Sequence, residues 1–149
     1  MTPRTRRIVE TCLYVADVDR AAEWYCRVFG FPIIFAQENR LRVLQVAQDQ
    51  VLLLFKEKAT LQPITMPGGV IPPHDGSGPT HIAFAMRTEE AEQWEKHLAT
   101  HDIAVESRVR WGDNDKSFYF RDPDGHAVEL ISGDHWQKMA DATQQVPAK

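Results

Sequence analysis

The sequence predicts an α+β fold in which one unit, a strand followed by a helix and three more strands, is used twice. Three observations predict it. Period-two strands and one helical-period stretch occur in the same order in each half. Glu10 precedes the helix-capping Asp17 by seven residues, and His81 precedes Thr88 by the same seven. Between the halves, residues 57–79 carry five prolines and four glycines and show no periodicity, which marks a connection running over the surface. The expected organisation is a single domain over 1–149. It has one module at about 7–56, the Pro/Gly-rich connection at 57–79, a second module at about 80–132, and a tail at 133–149.

The elements follow in order. Ile8 to Ala16 alternates, with Val9, Thr11, Leu13 and Val15 on one face and Glu10, Cys12 and Tyr14 on the other. Asp17 is a good N-cap for a helix from Val18 to about Phe29, and Gly30 sits where a C-cap belongs. Strands at Pro32–Ala36, Leu41–Ala47 and Gln50–Phe55 are joined by turns at Glu38-Asn39 and Gln48-Asp49. The connection could act as a lid as well as a linker. In the second half Thr80–Met86 alternates, with His81, Ala83 and Ala85 opposite Ile82, Phe84 and Met86. Thr88 is expected to cap a helix whose buried stripe is Ala91, Trp94 and Leu98. Strands at about Ile103–Arg110, Ser117–Arg121 and His126–Ile131 complete the unit.

Between the last two strands, Asp122-Pro123-Asp124-Gly125 fits a type I turn. Asp accepts backbone hydrogen bonds at its first position, Pro fixes φ at the second, and Gly leaves the turn at the fourth. In the strand that follows, Ala127, Glu129 and Ile131 share a face. A carboxylate between two apolar neighbours is costly unless it is paired or binds a metal. The tail could form a short helix near Trp136 and then fray.

Composition narrows the function classes. A net charge of −4, with scattered basic residues, gives no footprint for nucleic acid or anionic lipid. Arg4, Arg6 and Arg7 read as a solvated start to the first strand. No apolar run reaches membrane-spanning length, and the N-terminus lacks the apolar core of a signal peptide. Cys12 and Cys26 have no metal-like spacing, so a reducing cytoplasm is expected.

Glu10, His81 and Glu129 thus fall on the faces away from the helices. If the two half-sheets curl together, one imidazole and two carboxylates meet and suit a divalent first-row metal. If the last strands of the halves correspond, Glu129 matches Leu53, which cannot bind, so open positions remain for water or substrate. Each residue alone has a plainer reading, as a solvated Glu10 or a hydrogen-bonded core His81, and it is the coincidence of all three that favours a metal. His74 reads as a loop histidine, and His126 points to the opposite face. Tyr14, Tyr119, Arg121 and Glu57 could reach a substrate, and Arg108, Arg110 and Arg121 an anionic one. Trp24 and Trp94 read as packing residues, whereas Trp111 and Trp136 could line a pocket.

The segments ETCLYVADVDRAAEWYCRVFGF, GPTHIAFAM and SFYFRDPDGHAVELI resemble the signature segments of the vicinal oxygen chelate superfamily (glyoxalases, bleomycin resistance proteins and extradiol dioxygenases) from about Arg7 to Ser132. The resemblance implies paired βαβββ modules that form an open, U-shaped mixed β-sheet cleft with helices outside. It implies a divalent metal (Zn, Ni, Mn or Fe) on Glu10, His81 and Glu129; on chemical grounds Glu129 or Glu10 could leave the metal and act as base. It also implies a homodimer in which the first-strand ligand can cross the interface.

Two features depart from familiar members. The first-strand ligand is often His or Gln and here is Glu10. The fourth-strand ligand of glyoxalase I falls on or near Leu53. The expected function is therefore Lewis-acid chemistry on a small substrate with vicinal oxygens, of the lyase, isomerase or thiol-transfer kind. The alternatives are an Fe(II) dioxygenase, whose usual set is two His and one carboxylate, and a metal-free module that sequesters a small molecule. A third is an interaction module with a vestigial cleft.

Overall fold

The computed structural model describes residues 2–144. The chain divides into two units, Met1–Gly78 and Pro79–Lys149. The first contains β1 (Glu10–Val15), α1 (Val18–Phe29), β2 (Ile33–Gln37), β3 (Leu41–Ala47) and β4 (Gln50–Lys56), then a short hairpin of β5 (Ile64–Met66) and β6 (Gly69–Ile71). The second contains β7 (His81–Met86), α2 (Ala91–Thr100), β8 (Ser107–Trp111), β9 (Asp115–Arg121), β10 (Ala127–Ser132) and α3 (His135–Gln144). The expected α+β class stands, with two open four-stranded mixed sheets and few helices.

The sheets repeat one topology. The first runs β1-β4-β3-β2 and the second β7-β10-β9-β8. In each, the opening strand pairs parallel to the last strand of its unit, and the remaining pairings are antiparallel. Glu10 lies opposite Val51, and His81 opposite Ala127. Two residues further along, Leu53 and Glu129 therefore hold equivalent places, as the sequence correspondence required.

Side-chain alternation sorts the core. In β1, Leu13 and Val15 are buried while Glu10 and Cys12 are exposed. Helix α1 packs on β3 and β4 through a stripe that includes Val18, Ala21, Tyr25 and Val28. Asp17 Oδ1 accepts the N–H groups of Asp19 and Arg20 at 2.9 and 3.0 Å, and Gly30 closes the helix at φ 71° in the left-handed region. Trp24 is buried against Tyr25 and Phe29. In the second unit Phe84, Met86, Leu98, Phe118, Phe120, Val128 and Leu130 form the core.

Four expectations need correction. The connection is not structureless, because Ile64–Met66 and Gly69–Ile71 pair antiparallel across Pro67-Gly68. Thr88 caps nothing. It opens a single 3₁₀ turn, Thr88–Glu90, in which Glu90 N–H bonds to Arg87 O and Ala91 N–H to Thr88 O. The donors a Thr88 hydroxyl would have served are thus already taken by backbone. Strand pairing in β8 begins at Ser107, not Ile103, because Ile103 N–H turns back to Leu98 O at the end of α2. Trp94 is half-buried, less than its place in the predicted stripe suggested.

Candidate metal centre

The second unit positions Glu129 through the turn that precedes it. Asp122 is buried, and its Oδ1 accepts Asp124 N–H at 3.0 Å and His126 N–H at 2.9 Å. Gly125 N–H bonds to Asp122 O at 3.1 Å with Gly125 at φ 85°, where a side chain would be strained. His126 is 2% exposed, and its Nδ1 accepts Thr80 N–H at 3.0 Å. It pins the start of β10 to the start of β7, a structural role on the face away from Glu129.

With register so fixed, Glu129 stands between Ala83 on β7 and Tyr119 on β9. Its carboxylate is 5% exposed, and Oε2 lies 3.2 Å from His81 Nε2. The other oxygen, Oε1, is buried with no hydrogen-bond partner. His81 Nδ1 lies 2.9 Å from Ala127 O. A carbonyl only accepts, so Nδ1 carries the proton and directs Nε2 toward the carboxylate. An ionised carboxylate and a neutral imidazole nitrogen both offer lone pairs at that contact. A proton on either group, or a cation between them, makes it favourable.

His81 and Glu129 therefore supply part of a ligand set that a metal would fit. One nitrogen and one carboxylate converge, one buried oxygen is unsatisfied, and the ring is oriented by a backbone carbonyl as ligating histidines commonly are. The Tyr119 ring stacks near His81, with centroids 6.0 Å apart. Burial, and then the Glu129 carboxylate beside it, push the Tyr119 phenol above its ordinary value, so it stays protonated and able to donate.

Glu10 is exposed on β1 of the first unit, on the same face as Cys12 and Tyr14. Among the described residues, no three His, Cys, Asp or Glu side chains are grouped so as to hold an ion. The structure thus joins two of the three expected ligands, His81 and Glu129. Several other candidates are engaged elsewhere. Arg108 pairs with Glu95, and Arg121 with Glu106 at 3.0 Å. Trp111 donates to Ser117 Oγ at 2.7 Å, and Trp136 is exposed on α3.

His74 is more than a loop histidine. It bonds to the Tyr14 hydroxyl and lies 4.9 Å edge-on from the Phe55 ring. With Ile64, Met66 and Ile71 it lines the open face of the first unit. The sequence signal was present as two short apolar runs flanking Pro67-Gly68, a two-residue hairpin loop hidden in a proline-rich stretch.

Two strand–helix–strand–strand–strand units, each with its first strand parallel to its last, define the paired βαβββ class of protein. Residues 7–130 match the sequence profile of the Glyoxalase/Bleomycin resistance protein/Dioxygenase superfamily, and the chain belongs to it. The crystal structure of lactoylglutathione lyase from Agrobacterium tumefaciens superposes with a TM-score of 0.81 at 30% identity, covering 90% of this chain and 98% of that one. The fosfomycin resistance protein FosX from Listeria monocytogenes shares the fold, with a TM-score of 0.65 at 19% identity over 91% of this chain and 99% of that one. The metallothiol transferase FosB of Bacillus licheniformis is 41% identical over 63 residues, 40% of each chain. The chain thus spans about 40% of the length of that curated relative. Among the described residues no helix is long and apolar enough to cross a membrane.

Proposed function

We propose that the chain is a metal-dependent enzyme acting on a small substrate with vicinal oxygens, by thiol-transfer or lyase/isomerase chemistry. The observation that carries the reading is the His81–Glu129 pair, with one carboxylate oxygen buried and unpartnered. His81 Nε2 and Glu129 would hold a divalent ion (Zn, Ni, Mn or Fe), with Glu10 completing the set from this chain or from a second copy in a homodimer. Such an ion supplies Lewis acidity to a substrate oxygen on which negative charge develops.

The protein's own groups have separate tasks. Ala127 O fixes the His81 tautomer, Tyr119 keeps a donor on the face that carries Glu129, and Glu129 or Glu10 accepts a substrate proton. The name metallothiol transferase on one relative and lactoylglutathione lyase on a structural neighbour support this range of reactions. Leu53 stands at the place equivalent to Glu129 and offers no ligand there, which counts against glyoxalase chemistry in its familiar form. The reading places the enzyme in the cytoplasm.

Metal analysis tests it. Chelator-treated protein reloaded with Mn, Fe, Ni or Zn should retain about one ion per chain. Glu129→Gln should lower that occupancy with an unchanged circular dichroism melt. Occupancy of less than about one ion per two chains in the unaltered protein under every metal would favour the metal-free binder. A Glu129→Gln chain that unfolds with its metal content intact would make the residue structural.

A further inference from the structure

The first unit alone forms a half-open cavity of about 690 Å³ on its open face, within the size range of small-molecule sites. Phe35, Leu53 and Phe55 form sheet walls, and Ile64, Met66 and Ile71 of the β5–β6 hairpin form the roof. Pairing explains the roof. Ile64 lies opposite Ile71 with Met66 two residues on, so all three share one face of the hairpin, whereas Thr65 and Val70 share the other.

The segment that follows the roof is fastened to the sheet. His74 N–H donates to Thr60 O at 3.0 Å, the Thr60 hydroxyl returns a bond to His74 O, and the His74 ring meets the Tyr14 hydroxyl. Gly76 lies flat against Tyr14, where a Cβ would come within 2.5 Å of the ring.

The lining also sets the ligand's charge. Arg40 is held by Ala59 O at 3.0 Å and Gln37 Oε1 at 2.9 Å, and its guanidinium sits 5.4 Å over Phe55, so two of its donors and one face are already engaged within the first unit. Glu10 opposes an anion. Phe35, Met66 and Ile71 are each about half exposed and are buried further when an apolar group enters. We infer that this pocket takes the uncharged aryl or branched-alkyl body of a small organic ligand, so that the substrate is amphipathic rather than a compact anion. Glu10 lines the same pocket, and the inference rests on the proposed function for the chemistry at that end. Binding of the apolar body itself requires no metal.

The neutral dye phenylnaphthylamine, fluorescent in apolar surroundings, tests this on the full chain after chelator treatment. It should bind saturably. Ile71→Asp should weaken binding about tenfold or more by placing a charge in the apolar roof, while Val70→Asp, on the outer face of the same hairpin, should leave it unchanged. Cys12 lines the pocket and Cys26 lies on α1. Saturating dye should therefore slow alkylation of Cys12 by a maleimide several-fold without slowing Cys26. Equal effects of the two substitutions, or an unprotected Cys12, would overturn the inference. Dye binding that persists in a protein unable to retain metal sinks the proposed enzyme reading alone. Metal retention without saturable dye binding sinks the pocket alone.

Discussion

Gly76 shows how one side chain governs the first unit's open face. Its backbone needs no left-handed conformation; what excludes a side chain is Tyr14, whose Cδ2 and Cε2 would lie 2.5 and 2.8 Å from a Cβ at this position. Gly76→Ala must displace the Tyr14 ring and loosen its contact with His74. It should destabilise the protein by about 1–3 kcal/mol, the usual cost of overpacking, read as a lower denaturant midpoint. Asp122 makes the complementary case. Asp122→Ala removes the acceptor for two backbone N–H groups in a buried turn and should cost about 1–3 kcal/mol. Because that turn sets the register of β10, retained metal should fall as well. A variant that melts lower yet loads metal normally would separate turn stability from ligand placement.

Among the elements, α3 is tied to the second unit through a buried carboxylate. Asp115 is buried, with Lys138 Nζ at 2.7 Å and His135 Nδ1 at 3.3 Å, and the Trp111 ring lies 5.2 Å from that of His135. Hydrogen bonding to Lys138 first, and then to His135, holds the Asp115 carboxyl below its ordinary 3.8. A carboxyl lowered on folding contributes stability that is fully present above the unfolded value and is lost as pH falls through the folded one. Docking of α3 should therefore be insensitive to this group from neutral pH to about 4 and weaken below it. Asp115→Asn should remove the acid dependence and speed hydrogen exchange in α3 at neutral pH. If exchange there is unchanged, the helix is held by its apolar contacts. The sequence placed a helix near Trp136 without indicating this anchor, because Asp115, His135 and Lys138 are separated in the chain and share no periodicity; the fraying expected at its end falls partly on residues 145–149, outside the described ones.

For the whole molecule, the ligand set we propose is Glu10, His81 and Glu129. A homodimer offers two ways to satisfy that set, within one chain or across two. Mixing Glu10→Gln chains with Glu129→Gln chains should restore metal binding in the mixed dimer if the site is shared, since one of its two sites then has an unaltered set. Occupancy no higher than the average of the separate variants would place the ligands within one chain. The experiment needs only metal analysis and subunit exchange, so it stands apart from any assay of turnover.

What the chain states by itself is local. Alternation in β1, β7 and β10 assigned Glu10, His81 and Glu129 to strand faces, and turn chemistry at Asp122–Gly125 fixed where β10 starts, because period and turn preference depend on neighbours in sequence. The β5–β6 hairpin was less legible, since three-residue strands are too short to display a period among prolines. The 3.2 Å approach of His81 to Glu129, the unpartnered Oε1 and the roofed pocket beside Tyr14 were settled only by tertiary structure. Each depends on strands distant in sequence pairing in one register, and a shift of one residue would turn every one of those side chains to the opposite face.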